Sequence, residues 1–357
     1  MNMSNTYKAF GSRHHSRGFS LVELMVALVI TLILLAGIGQ IFMSSKKSYL
    51  IQDTLGRMQE NGRYAMDVLT GDLRRAGYWG GNSDVNTIQG TLGVNITSTE
   101  ACPSTTSGPS EWTRMLNRRI FGLNLTGSEK PSTTNYACIK DSGTTPYLRG
   151  DVLAVRYANP SVVGGITTPL PSGKTIAQVY PKDIFVRSSL FRGRIFTGID
   201  SESTSNDINA PAVRTALLVA RAYYIGASGN ASKCPADGPV PSLYRISVVN
   251  GAFVSEEVAY GVDNLQLEYG VTTGPPSAPV TRYYDADALS TDSSVTPNWD
   301  QVTAVRIWML TRSECPETGY TNANTYSMSE DYTPADTANR GYRRKLYTST
   351  VKLRNNN

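Results

Sequence analysis

The strongest hydrophobic pattern in the chain is an uninterrupted apolar run over residues 19–43, in which Glu23 is the single charged residue. Fifteen residues of the run are Leu, Ile, Val or Phe. At roughly −0.4 kcal/mol each on the insertion scale, they outweigh the cost of about +3 kcal/mol for one carboxylate near the end of a span. The run therefore predicts a membrane-spanning helix.

Beyond the run, apolar or small residues recur at steps of three and four, which is the period of an amphipathic helix. These positions are Ile51, Leu55, Met58, Gly62, Ala65, Leu69, Leu73 and Ala76. We expect the charged residues between them, Asp67 and Asp72 among others, to point away from this stripe. No proline occurs in residues 19–76, and Arg74, Arg75 and Gly77 give a stop signal. One long helix over 19–76 is predicted, with its 44–76 half packed on a folded domain.

After Gly77 the pattern changes to short apolar alternations between Gly, Ser, Thr and Asn, which is typical of strands and loops. The predicted strands are 151–157, 177–180, 184–188, 216–225, 244–249, 252–259, 264–269, 302–311 and 345–353. Asn250-Gly251 predicts a type I′ hairpin turn. The polar stretches 79–150, 196–214 and 270–300 predict long surface loops. The predicted class is α+β, with one large antiparallel β-rich domain over 77–357.

Four cysteines, Cys102, Cys138, Cys234 and Cys315, lie downstream of the apolar run, and none forms a C-x-x-C pair. Two structural disulfides in an oxidising compartment fit this pattern better than a zinc site. Three pairings are possible, and we favour Cys102 with Cys138 and Cys234 with Cys315 because shorter loops close at lower entropic cost.

Charge and histidine content narrow the functional classes. The two histidines, His14 and His15, precede the apolar run, so the rest of the chain lacks histidine. Three of the net positive charges also precede the run, so the net charge is +5 for the whole chain and +2 for the rest. A charge this low does not argue for a nucleic-acid partner. Without histidine, Ser-His-Asp catalysis and histidine zinc sites are excluded. We therefore expect no enzyme, no catalytic residue, no metal and no cofactor.

The transition from the basic stretch 13–17 into the apolar run reads RGFSLVE over residues 17–23. By the positive-inside rule the basic side stays in the cytoplasm and everything after residue 43 lies outside. The motif resembles the class III, or type IV prepilin, signal. The resemblance implies that a membrane peptidase removes a leader, residues 1–18, by cutting between Gly18 and Phe19, and then methylates Phe19. A plain signal anchor is the alternative.

Glu23 occupies the acidic position of that motif. A carboxylate without a partner in an apolar environment is costly, so its presence suggests a partner. The resemblance implies the N-terminal amine of Phe19, from the same or an adjacent subunit, as the assembly contact. A protonated carboxyl near the membrane interface is the alternative.

Three downstream segments narrow the resemblance: VDNLQLEYG at 262–270, VTAVRIWMLTRS at 302–313 and YRRKLYTSTVKLRN at 342–355. They are similar to PilW-type minor pilins. The family implies a pilin-like fold and a role in priming type IV pilus assembly at or near the tip, with other minor pilins, the major pilin and a tip adhesin as partners. It also implies a single-pass bacterial inner-membrane protein with a periplasmic domain that then enters the pilus.

Several alternatives stay open. A minor pseudopilin of a type II secretion system shares the leader, Glu23 and the helix, and an adhesin or DNA-uptake receptor is compatible with exposed loops. A membrane-anchored enzyme using carboxylates or a Ser-Lys pair is the rival from another class. Asp285 and Asp287 suggest a calcium loop but lack its distal glutamate. Residues 77–81 predict a helix-ending turn rather than a phosphate loop, and the basic C-terminus predicts a solvated edge strand.

Overall fold

The structure is a computed structural model that describes residues 18–82, 84–90, 108–125, 138–139, 146–159, 172–200, 213–234, 238–275, 277–334 and 340–355. The described residues up to Asp53 belong to one compact unit, and those from Thr54 onward belong to a second. The α-helices among these residues are α1 (Leu21–Arg75), α2 (Gly108–Thr113) and α3 (Ile176–Val179). The strands are β1 (Ile88–Gln89), β2 (Ile120–Leu123), β3 (Tyr147–Ala158), β4 (Ile184–Ser188), β5 (Gly193–Thr197), β6 (Arg214–Ala227), β7 (Pro241–Val249), β8 (Ala252–Tyr260), β9 (Val262–Val271), β10 (Arg282–Tyr284), β11 (Val302–Arg312) and β12 (Arg344–Lys352).

The predicted long helix is confirmed as α1, which runs without a break through 55 residues. Most of the predicted stripe in its second part is buried, namely Met58, Gly62, Ala65, Leu69 and Leu73. The charged residues between them are exposed with one exception. Asp72, which the pattern placed away from the stripe, is only 2% exposed. That prediction was wrong because strand side chains from distant parts of the chain surround this carboxylate.

Two sheets form the β-rich part. The first has eight strands in the path β1-β5-β4-β6-β3-β2, with β7 pairing β6 and β8 pairing β7. All of its pairs are antiparallel except β1 with β5. The second sheet has four antiparallel strands in the order β10-β9-β11-β12. The α+β class is therefore confirmed.

One continuous core joins α1 to both sheets. It contains Leu69 and Leu73 of α1, Leu153 of β3, Tyr223 of β6, Leu265 of β9 and Ile307 of β11, among others. Burying each large apolar side chain contributes about 1.5–3 kcal/mol. The nearly continuous apolar runs of β6 and β11 lie in central strands, since both have a partner strand on each side.

Several short elements differ from the prediction. The predicted strand at 177–180 was wrong, because these residues lie in and directly after the single-turn helix α3. The side chain of Gln178 accepts a hydrogen bond from the backbone N–H of Thr175 at 3.2 Å and closes that turn. Strands β1, β2 and β10 lie in stretches predicted to be loops, and β5 was not predicted. They are two to five residues long. β1, β2 and β10 each pair with a longer strand, whereas β5 pairs with β4, which has the same length.

The local turn predictions are confirmed. Asn250 and Gly251 have φ of 48° and 73° between β7 and β8, as a type I′ turn requires. Gly77 ends the helical segment with φ of 78°. Cys234 and Cys315 form a disulfide with a Cα–Cα distance of 5.7 Å. Cys102 lies outside the described residues, so its pairing with Cys138 stays a prediction.

Candidate functional site

The N-terminal end of α1 carries the residues of the cleavage motif. Gly18 and Phe19 precede the helix, and the Phe19 side chain is 80% exposed. The backbone N–H of Ser20 donates a hydrogen bond to Oε2 of Glu23 at 3.4 Å. Glu23 therefore lies in the first turn of α1, at the positive end of the helix dipole. Residues 1–17 of the predicted leader, with its histidines and arginines, lie outside the described residues.

The first part of α1 presents an apolar surface on all sides. Every residue from 18 to 50 is exposed. Among the described residues, α1 is the one helix long and apolar enough to cross a membrane, and its most apolar window has no buried residue. An apolar surface of this extent is stable only when lipid or other helices cover it. The helix passes through Gly37 and Gly39 without interruption.

Near its other end, α1 is anchored to the first sheet by Asp72. Its carboxylate pairs with Nη1 of Arg221 on β6 at 2.8 Å. The hydroxyls of Tyr157 on β3 and Tyr223 on β6 donate hydrogen bonds to it at 2.9 and 2.6 Å. Arg75, one helical turn along, lies 3.5 Å away. Three side chains from two strands therefore hold one helical carboxylate, and we call these four residues the Asp72 cluster: Asp72, Tyr157, Arg221 and Tyr223.

Burial and the charge of Asp72 together set the protonation of the two tyrosines and of Arg221. Burial first, and then the Asp72 charge, raise the pKa of the Tyr157 hydroxyl to about 12. The same two causes raise the pKa of Tyr223 further. Burial alone would lower the pKa of Arg221, but the attraction of Asp72 outweighs it and raises the pKa. Both phenols therefore remain donors and the guanidinium remains charged throughout the physiological pH range.

The second sheet also contacts α1. A Cβ atom at Gly62 would lie 2.5 Å from Cε2 of Tyr347 on β12, so a side chain there would collide with the tyrosine ring. On the side of the first sheet, the amide of Asn61 donates to the backbone oxygen of Tyr260, the last residue of β8, at 3.0 Å. Asn355, after β12, donates to the oxygen of Ala76 at 3.1 Å and satisfies a carbonyl at the helix end. The second part of α1 is thus fastened to both sheets.

A second buried carboxylate joins the two sheets. Asp151 on β3 accepts hydrogen bonds from the backbone N–H of Leu267 on β9 at 2.7 Å and of Leu125 at 3.3 Å. Burial raises its pKa to about 8, although the two N–H donors act in the opposite direction. The more distant charges of Asp285 and Glu330 raise it further. The neutral acid is therefore the favoured form at neutral pH.

This shift predicts a pH-dependent stability. The folded pKa of about 8 lies above the unfolded value of about 3.9, so the folded state holds more protons between these values. Asp151 thus stabilises the fold most below about pH 4, and this contribution is lost as the pH rises through 8, by at most about 1.4 kcal/mol per pH unit. We expect Asp151→Asn, which resembles the neutral acid, to gain stability relative to the wild type between pH 6 and 8.5. Denaturant unfolding of the full chain measures this difference. Asp67→Asn, at an exposed carboxylate, should show no such gain, and parallel pH profiles for Asp151→Asn and the wild type would contradict the shift.

The basic C-terminal strand differs partly from its prediction. β12 is an edge strand, as predicted. The side chain of Arg344, however, is fully buried and donates from Nε to Oδ2 of Asp263 at 2.7 Å. Arg149 lies 3.4 Å from the same carboxylate. The prediction of a wholly solvated strand was wrong at Arg344 because Asp263, 81 residues away, compensates its charge.

The segment around Asp285, where a calcium loop was weighed and not predicted, makes other contacts. Asp285 accepts a hydrogen bond from the hydroxyl of Ser329 at 2.7 Å. Among the described residues there is no group of three His, Cys, Asp or Glu side chains placed to hold a metal. The Asp72 cluster was missed by sequence reasoning. The signal that could have indicated it was one acidic residue next to the buried stripe of α1 and one arginine inside the apolar run of β6.

Comparisons with known proteins match both ends of the chain. Residues 222–355, from the second half of β6 to the segment after β12, match the family described as Type IV Pilus-assembly protein W. Residues 13–39 match the prokaryotic N-terminal methylation motif. No curated protein matches the chain. Among solved structures, a type IV-like pilin from Thermus thermophilus is similar at 12% identity and a TM-score of 0.23, covering 60% of this chain and 83% of that one.

Proposed function

We propose that this chain, which is a PilW-type protein of the type IV pilus, works as a minor pilin that primes pilus assembly and lies at or near the pilus tip. Cleavage between Gly18 and Phe19 would release the leader, and methylation of Phe19 would follow. The mature chain would then insert in the bacterial inner membrane in a single pass, with the domain 77–357 in the periplasm.

One observation carries this proposal. The helix α1 starts at Leu21, three residues after Gly18, exposes an apolar surface through residue 43, and continues unbroken to Arg75. Such a surface suits both lipid before assembly and the helices of sister subunits afterwards. An ordinary secretory signal would be removed together with its apolar run, whereas here the proposed cut leaves the run on the mature protein.

The partners follow from this role. They are the prepilin peptidase during processing, other minor pilins and the major pilin during assembly, and a tip adhesin in the finished filament. The function is structural, since the matched family is one of pilus assembly, and we propose no catalytic activity and no cofactor. The match over 222–355 favours a pilus over a type II secretion system, whose minor pseudopilins share the leader and the helix.

Deleting the gene tests the priming role. We expect surface pili, counted by electron microscopy and by the amount of major pilin in sheared fractions, to fall severalfold or more. Priming is a step of assembly and not of retraction. Disabling retraction in the deletion strain should therefore restore only part of the pili. A plasmid copy of the wild-type gene should restore the count.

Unchanged piliation in both the retracting and the non-retracting background would contradict the priming role. Normal pili together with a loss of secreted proteins would instead assign the chain to a secretion system. Normal pili with lost surface binding would favour an adhesin role without priming.

A further inference from the structure

In the part of the chain that the structure describes, the outer edge of β12 has backbone hydrogen-bonding groups without a backbone partner. The bonds from the N–H of Leu353 to the oxygen of Thr303 and from the N–H of Ser313 to the oxygen of Arg343, both at 2.8 Å, set the register with β11. In an antiparallel pair, successive residues point alternately toward and away from the partner strand. The backbone groups of Leu346, Thr348, Thr350 and Lys352 therefore point away from β11. Within the described part of the chain, no backbone group pairs with them.

Among the described residues, this edge lacks most of the features that prevent strand addition. Over nine residues β12 contains no proline and pairs with β11 without a register shift, whereas the pairing of β11 with β9 has two shifts. Natural edge strands are usually protected by bulges, prolines, charges or a covering segment. Here the protection consists of lysines, and cations protect an edge against neutral segments but attract acidic ones.

A groove lies beside the end of this edge. It has a volume of about 690 Å³ and is lined by Arg74 of α1, Ser277 and residues 350–354. Residues 350–352 of this lining end β12, and residues 353–354 follow the strand. At about 3.3 Å per residue, these five residues span roughly 17 Å, which is the length of a typical strand. This length suits an extended segment lying beside the end of β12.

The charge of the groove is of one sign. Arg74, Lys352 and Arg354 line it, all three are exposed, and no carboxylate is among the lining residues. In the described structure none of the three forms an ion pair. An occupant with acidic side chains would supply the missing charges and would gain from the partial exclusion of water.

We propose that the β12 edge and the groove beside it bind an extended acidic polypeptide segment of a neighbouring pilus subunit, which adds to the second sheet as a fifth strand. Main-chain hydrogen bonds to Thr348, Thr350 and Lys352 supply the affinity, and the three cations select the acidic segment. The proposal rests on the proposed function for the source of the segment, and on the geometry of β12 for its binding mode.

The test uses the full mature chain in detergent micelles and a fluorescent octapeptide of alternating threonine and glutamate. We expect saturable binding by fluorescence anisotropy, with hydrogen exchange slowed at the amides of Thr348, Thr350 and Lys352. The double variant Lys352→Glu with Arg354→Glu should weaken binding at least tenfold. Lys345→Glu is the matched control, since it reverses an exposed charge on the same strand outside the groove, and it should bind within about twofold of the wild type.

Two altered peptides separate strand addition from simple charge attraction. Replacing each glutamate by glutamine should abolish the charge preference, and methylating alternate backbone nitrogens should abolish binding while the charge is kept. Equal binding of the methylated peptide, or no slowing of exchange at the outward amides, would overturn the proposal. So would equal protection of those amides by a DNA oligonucleotide or by anionic lipid vesicles. The binding assay does not depend on counting pili. If the peptide fails to bind but the gene deletion reduces piliation, the proposal for the groove is overturned and the proposed function is not.

Discussion

Replacing Asp72 by alanine is expected to lower the free energy of unfolding of the globular part by about 3–5 kcal/mol, the cost of removing one partner of a buried ion pair. The variant leaves the Arg221 guanidinium at a largely buried position without the carboxylate 2.8 Å away. It also removes the acceptor of the Tyr157 and Tyr223 hydroxyls. A loss of this size is a large fraction of the stability of a typical domain. Thermal unfolding of the full chain in detergent measures it.

Asp67→Ala is the matched control for this variant. Asp67 lies on α1 five residues earlier and is exposed, so its loss should change the free energy of unfolding by no more than about 0.5 kcal/mol. Combining Asp72→Leu with Arg221→Met removes both charges and should recover part of the loss. Equal stability of Asp72→Ala and the wild type would show that the cluster does not anchor α1.

Replacing Glu23 by alanine is expected to leave leader cleavage and membrane insertion intact and to reduce incorporation into pili strongly. The apolar run loses no hydrophobic residue, so insertion stays favourable. The amine proposed to form at Phe19 would lose its carboxylate partner in an apolar filament core, and an uncompensated charge there is costly. The mass of the mature protein, its share in the membrane fraction and its amount in sheared pili are the three measurements.

Two further variants sharpen this result. Glu60→Ala removes an exposed carboxylate from the same helix and should be incorporated normally. Glu23→Gln keeps the hydrogen-bonding shape without the charge, so it should fail like alanine if Glu23 pairs with the amine. It should succeed if a protonated carboxyl is sufficient. Normal incorporation of Glu23→Ala would exclude the pairing.

Patterns within short segments were read correctly from the sequence alone. The stripe at steps of three and four predicted which face of α1 is buried, because helical periodicity is local. The alternation in β7 and β8 and the Asn250-Gly251 turn between them predicted a hairpin for the same reason. The N-terminal motif and the segments at 262–270, 302–313 and 342–355 predicted the family that the matches over 13–39 and 222–355 support.

Other features are decided by residues that meet only after folding. Asp72 looks like a solvated helix residue until Arg221, 149 positions away, reaches it. Arg344 looks like a solvated strand residue until Asp263 compensates its charge. β1, β2 and β10 have too few residues to be strands by themselves and are ordered by their longer neighbours.

The sequence by itself determined the apolar run, its cleavage motif, the buried stripe of α1 and the main strands, because each depends on residues that are neighbours along the chain. The tertiary structure decided which charges are buried, how α1 is fastened to two sheets and that the groove beside β12 carries three cations. The physical reason is that the cost of burying a charge depends on its partners in space, and hydrophobic periodicity carries no record of them.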